Sequence, residues 1–157
     1  MEVTFDIRKA RTEDAGEIVE VLEHAPFVND CYRGEAGISL IETRLNLIWL
    51  ADLNGRIASL MMLLHKDDLG LLEISLIVTK PEFRRRGFAR DLIHKGKQIA
   101  RDSRLDLVAH PENNTSRELL ISEQFTLVLR RQNLQGNPMY RFSRKLIEPI
   151  RATRPEL

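Results

Sequence analysis

Only one cysteine, Cys31, occurs in the 157 residues, so no internal disulfide can form and no paired-cysteine metal motif exists. Long apolar runs are missing as well. Stretches such as "LMMLL" at 60–64 are far too short to span a bilayer. The opening "MEVTFDIRKA" lacks the apolar core of a secretory signal. A cytoplasmic location with no membrane partner is therefore the expectation. There is no surplus of one charge either: 24 Lys and Arg stand against 23 Asp and Glu, a formal net charge of +1. Non-specific nucleic-acid binding rests on phosphate neutralisation and shows as a basic excess, so no nucleic-acid partner is expected. Repeats, low-complexity tracts and Pro/Gly/Ser linkers are absent too. What remains is 43% hydrophobic and 30% charged, an ordinary globular composition long enough to bury a core. The expectation is one domain over 1–157, with 148–157 as a C-terminal tail.

Hydrophobic periodicity divides the chain. Val3, Phe5 and Ile7 alternate with polar residues and predict a half-buried strand. Thr12 is a candidate cap for the helix after it, with Glu13 and Asp14 in a first turn where the helix dipole favours negative charge. Residues 24–37 read as a loop and 38–45 as a short helix. Two apolar runs then flank Asn54-Gly55, the pair suited to the positive φ angles of a type I′ hairpin turn. "LGLLEISLIVT" (69–79) is apolar enough to be a central strand. From Gly87 the period changes, and Phe88, Ala89, Leu92, Ile93, Ile99 and Ala100 form one stripe of a helix of about four turns. "LDLVAH" (105–110) predicts a short buried strand. Asn113 or Asn114 caps a helix running to about Glu123, and "FTLVLRRQ" and "MYRFSRKL" close the chain as strands. A strand–helix–strand unit at 70–110 implies a locally parallel pair, and the hairpins imply antiparallel ones. The fold class is α/β (α+β), with a mixed, largely antiparallel central sheet of about seven strands and about four helices.

In this nearly neutral chain, "KPEFRRRGFARDLI" (80–93) gathers Arg84, Arg85 and Arg86 before Gly87. The run is either a solvated basic patch for a polyanion or a loop built around one small anionic ligand. Strand, short loop and helix is the setting in which a helix N-terminus binds anions, because its first backbone N–H groups have no intrahelical partner. Gly87 lets the backbone approach a ligand with no Cβ in the way.

The segment "VTKPEFRRRGFARDL" resembles the acyl-CoA loop of the GNAT N-acetyltransferases, which reads Arg or Gln, two residues, Gly, one residue, then Gly or Ala; here these are Arg84, Gly87 and Ala89. The resemblance continues through "HPENNTSRELLISEQF", where Asn113 and Phe125 keep the family's twelve-residue spacing, and through "IRKARTEDAGEI" at the start. It implies acetyl-CoA as co-substrate, with no metal, and a small-molecule or peptide amine as acceptor. A homodimer is compatible with it. By the same resemblance the backbone of residues 85–89, Phe88 included, would bind the pyrophosphate. Ile77 and Val78 would pair with pantetheine amides, Asn113 would meet the pantetheine arm or order the loop around it, and the arginines would face the nucleotide phosphates.

Acyl transfer needs an uncharged amine, and for a lysine-like ammonium neutrality near pH 7 costs roughly 4–5 kcal/mol. Glu73 interrupts an apolar strand fourteen residues before Gly87, as does the base of the family's histone acetyltransferases, and is the candidate base. The alternative is a strand-end carboxylate facing solvent. The family's acid, a tyrosine seven residues after the Asn, is here Leu120, and the Gly before the Phe is Gln124. Tyr32 and Tyr140 are weak candidate acids, each as readily a packing residue. His24, His65, His94 and His110 show no metal-ligand spacing. A non-catalytic acyl-CoA sensor is the alternative function.

Overall fold

The computed structural model describes residues 3–25 and 30–143. The expected tail at 148–157 and the end of the expected last strand (144–146) lie outside them. The strands are β1 (Phe5–Lys9), β2 (Ile48–Leu53), β3 (Arg56–Lys66), β4 (Leu71–Thr79), β5 (Asp106–Ala109), β6 (Thr126–Gln132) and β7 (Pro138–Phe142). The helices are α1 (Ala15–Leu22), α2 (Gly34–Glu42), α3 (Phe88–Ser103) and α4 (Asn114–Ser122). The strands form a seven-stranded sheet in the order β1-β2-β3-β4-β5-β7-β6. The pairs β1/β2, β2/β3, β5/β7 and β6/β7 are antiparallel. Between β4 and β5 the chain passes through α3, the kind of crossover that parallel strands require. The expected fold class is the observed one.

The described chain divides into two compact units, residues up to Leu64 with Ile74–Gly96, and His65–Glu73 with the chain from Lys97 onward. In the first unit, Ile18 and Val21 of α1, Ile41 of α2, Leu50 of β2 and Ile57 and Leu60 of β3 pack into one core, each 1% exposed or less. Leu53 pairs with Arg56 across the β2–β3 turn, and Asn54 and Gly55 take φ of 54° and 82°, the two positive angles that their sequence predicts. In the second unit Leu71, Val108 and Met139 form a smaller cluster with Val128 against it.

Two readings need correction. Thr12 does not cap α1. Asp14 is the residue before α1, and its side chain makes no bond into that helix: its Oδ2 accepts the Arg11 backbone N–H at 2.7 Å, closing the 3-10 turn ahead of α1, while the Arg8 guanidinium donates to both of its oxygens and to Asp52. The Arg8 hydrogen bonds hold the Asp14 carboxyl below the usual carboxylate range, against the opposing effect of burial. Helix α2 begins at Gly34, within the expected loop. A Cβ on Gly37 would lie 2.3 Å from the Tyr32 carbonyl carbon, so this glycine serves close packing and is not a loop former.

The end of α4 is also informative. Phe125 N–H donates to the Leu120 carbonyl (3.0 Å) and Gln124 N–H to that of Ile121 (2.9 Å), the paired bonds of a Schellman cap. The cap needs a left-handed residue, and Gln124 supplies it at φ 71°. A side chain there costs roughly 1–2 kcal/mol that glycine avoids, less roughly 0.5–1 kcal/mol for glycine's greater freedom when unfolded. Gln124→Gly is expected to raise the melting temperature by about 1–4 °C; a fall in differential scanning calorimetry would show that the side chain contributes contacts that outweigh the strain.

Because the folded Asp14 carboxyl titrates below its unfolded value, its contribution is present above about pH 4 and is lost as pH falls through the folded value. Asp14→Asn is expected to cost about 2 kcal/mol at pH 7, the scale of hydrogen bonds to a charged group. Denaturant titrations should show the gap between variant and parent closing below about pH 4. A gap independent of pH would remove the ion pair as its cause.

Candidate active site

The first unit holds the turn from β4 into α3. Lys80 N–H donates to the Ala58 carbonyl (3.0 Å), Phe83 N–H to that of Lys80 (2.9 Å) and Arg84 N–H to that of Pro81 (3.3 Å), which closes a 3-10 turn over Pro81–Phe83. The Lys80 ammonium is 9% exposed and pairs with Glu17 Oε2 at 2.9 Å. The same Glu17 oxygen accepts the Ile57 N–H at 2.7 Å, so α1, β3 and the turn share one carboxylate.

Beyond this anchor the backbone turns left-handed twice, at Arg85 (φ 63°) and Gly87 (φ 87°). Gly87 then accepts the first intrahelical bond, from Asp91 N–H at 3.0 Å. No atom lies within 4 Å of the place a Gly87 Cβ would take, so its positive φ and the open space at its backbone mark it, not internal crowding. Successive N–H groups in such a turn form an anion-binding concavity, and the start of the 16-residue α3 adds its dipole to it. These features fit a diphosphate.

The three arginines are not equivalent. The Arg84 Nε donates to the Thr79 carbonyl at 3.3 Å. The Arg86 guanidinium stacks over Phe83 (5.5 Å) and Phe88 (5.6 Å). Of the three, only Arg85 has no hydrogen bond, ion pair or ring contact to the described residues. Along β4, Leu72, Ile74 and Val78 are buried, whereas Ile77 is half-buried. The Val78 carbonyl accepts the Ser59 hydroxyl at 2.9 Å.

The second unit holds Glu73. Its side chain is 17% exposed, and its Oε1 accepts from Lys66 Nζ at 2.9 Å. His110 Nε2 lies 4.0 Å from the same oxygen and is 13% exposed. His110 Nδ1 lies 3.1 Å from the Asn137 carbonyl. A carbonyl only accepts, so Nδ1 carries a proton and the neutral ring keeps its lone pair on Nε2. Metal-ligand spacing is no guide to this histidine. The available signal was position: His110 directly follows β5, two residues after the buried Val108 of the Leu71 cluster.

Tyr140 and Glu73 lie on opposite faces of the sheet. Tyr140 pairs with Ala109 and Leu127, alternating with Met139, so it points to the sheet face opposite Leu71, Val108 and Met139. Tyr32, in the first unit, is 9% exposed, and its hydroxyl accepts from Arg44. Asn113 Oδ1 caps α4 by accepting the Ser116 N–H at 2.8 Å, so its observed work is to order that helix entry. Leu120 is buried in α4 at 5% exposure. Among the described residues no group of three or more His, Cys, Asp or Glu is arranged to hold a metal ion, and no helix is long and apolar enough to cross a membrane.

Known structures share this fold. The PaiA N-acetyltransferase of Thermoplasma acidophilum, solved with coenzyme A, is 14% identical over 89% of this chain and 99% of its own, with a TM-score of 0.70. An N-acetyltransferase of Staphylococcus aureus Mu50 is 18% identical over 90% and 99%, with a TM-score of 0.69. N-acetylglutamate synthase of Neisseria gonorrhoeae, solved with coenzyme A and N-acetyl-glutamate, gives 15% and 0.73, with 90% of this chain matching 35% of that one. Identities this low carry the fold alone. No curated protein matches the chain significantly. The family model described as "Acetyltransferase (GNAT) family" matches residues 8–120, most of the chain, and the chain therefore belongs to the GNAT family of acyl-CoA-dependent N-acetyltransferases.

Proposed function

We propose that the protein transfers an acetyl group from acetyl-CoA to a primary amine of a small molecule or peptide by direct attack on the thioester. The observation that carries this reading is the left-handed Arg85–Gly87 turn at the N-terminus of α3, open at the position of a Gly87 Cβ. The backbone of residues 85–89 would hold the CoA diphosphate, with Arg85 as the arginine free to meet a phosphate. Arg84 and Arg86 shape the loop through Thr79, Phe83 and Phe88. Ile77 and Val78 would offer backbone groups to the pantetheine arm. Glu73, an ion-paired and largely shielded carboxylate, would draw the proton from the acceptor's ammonium, directly or through water. The co-substrate supplies the activated acyl group. The chain supplies orientation and proton removal.

A second reading has one observation behind it. The family's acid position is the buried Leu120, which suits a module that binds acyl-CoA without turning it over. Thiol release from acetyl-CoA across a panel of amino acids, peptides and polyamines separates the two, since a sensor releases none above background.

Coenzyme A at a hundred times its Kd should add about 2.7 kcal/mol, or roughly 5–11 °C in a thermal melt. Gly87→Asp should abolish this shift while lowering the free protein's melting temperature by only about 2–8 °C, the cost of a side chain at positive φ. No shift of the parent protein by millimolar coenzyme A would overturn the reading. Glu73→Gln should cut kcat on an accepted amine by roughly 10²-fold or more, leave the coenzyme A shift intact, and recover partly at high pH where more amine is neutral. An unchanged rate at pH 7 would return Glu73 to a structural role.

A further inference from the structure

We propose that His110 is the proton acceptor behind Glu73, so that carboxylate and imidazole handle the acceptor's proton as a pair. This rests on the acyl-transfer reading above. An ionised carboxylate is a weak base towards an ammonium: their reference pKa values, about 4.3 and 10.4, make the transfer uphill by roughly 8 kcal/mol. An imidazole, with a reference pKa of about 6.5, is the better resting place for a proton near neutral pH. His110 is poised for that work. Its Nδ1–H is committed to the Asn137 carbonyl at 3.1 Å, which leaves the Nε2 lone pair on the side of Glu73 Oε1, 4.0 Å away. One bridging water, or a small turn of the carboxylate, closes that gap.

The step balances without a further reactant. The acceptor's R–NH3+ gives one proton, by way of Glu73 or a water held by it, to His110 Nε2. The products are R–NH2, an imidazolium and Glu73 still as carboxylate. The amine then forms its C–N bond as the C–S bond breaks, and the nitrogen's surplus proton leaves with the CoA sulfur as the thiol. The imidazolium is opposed by Glu73 and accepted at Nδ1 by Asn137. The other charge at this oxygen is Lys66, 2.9 Å from Oε1. Asn137 belongs to a turn closed on itself: Asn133 Oδ1 accepts its N–H at 2.9 Å and Gly136 N–H donates to the Asn133 carbonyl at 2.9 Å. The imidazole is therefore aimed by a fixed loop.

The test uses His110→Asn, whose side-chain amide can still donate to the Asn137 carbonyl but has nothing in place of Nε2. With acetyl-CoA and the amine of the panel that gives the fastest thiol release, kcat should fall by roughly tenfold or more. The KM for acetyl-CoA should stay within about twofold, and kcat should recover only at high pH, where more of the amine is already neutral, as in Glu73→Gln. Wild-type kcat with the parent's pH profile in His110→Asn would overturn the proposal and leave the acyl-transfer reading standing. No thiol release by the parent with any amine would overturn both. If His110→Asn does not melt cooperatively, 15N NMR of the parent's imidazole decides. A neutral ring protonated at Nδ1, whose 15N shifts change in Glu73→Gln, supports the pair. A ring protonated at Nε2, or 15N shifts indifferent to Glu73, removes it.

Discussion

The strand-to-helix turn depends on one ion pair whose lysine is buried. Lys80 is the last residue before Pro81 and is almost wholly out of water, which an ammonium tolerates only against a partner. Glu17 is that partner, and its oxygen also satisfies the Ile57 N–H. Removing Glu17 costs up to about 3–5 kcal/mol, because the Lys80 charge is left buried. Everything after it, the 3-10 turn, the two left-handed residues and the start of α3, is a short backbone path leading away from a fixed point. An anion cradle made of main-chain N–H groups has no side-chain rotamers to lose. It is only as well placed as the strand and the helix at its two ends.

That view reassigns the arginine run. Three consecutive guanidinium groups look like a patch for a polyanion, but the net charge of +1 argues against one, and the structure adds a local reason. Arg84 is bound back to the end of β4 and Arg86 lies across two phenylalanine rings, so two of the three hold the loop's shape. A guanidinium stacks on an aromatic face and keeps its charge, so the loop gains rigidity without losing positive potential. The left-handed Arg85 is the costly residue of the three, and strain kept at one exposed backbone position points to a use for that position.

Much of the fold was legible because its signals are local. Asn54-Gly55 fixes a turn by its own φ preferences, and α3 announces itself by a change of hydrophobic period. Legibility failed where a residue's role is set by something distant in sequence. Asp14, not Thr12, stands before α1 and is held there because Arg8 reaches it from β1 and Asp52 from β2 completes the network. Gly37 read as loop because the Tyr32 backbone it packs against leaves no trace in a pattern of apolar residues. Of the candidate site, the turn into α3 was legible through Gly87 and the change of hydrophobic period after it. His110 was not, because Glu73, Lys66 and Asn137 come from three other segments and only the sheet order collects them.

The departures at Leu120 and Gln124 sit at the two ends of one device. Leu120 accepts the Phe125 N–H that closes α4, and Gln124 takes the left-handed angle that makes the closure possible. The backbone geometry expected for a glycine is thus kept with a glutamine in its place. At Leu120 the side chain is buried, whereas a tyrosine there would need a partner for its hydroxyl. On the acyl-transfer reading, the missing hydroxyl matters less than its absence suggests. A thiol has a pKa of about 8.5, so a thiolate leaving near pH 7 carries a penalty of only about 2 kcal/mol, and the attacking nitrogen has a proton to give. Deprotonating an ammonium with a pKa of about 10.4 costs roughly twice that. The heavier demand therefore falls on removing the first proton, the step that the proposed Glu73 and His110 pair would serve.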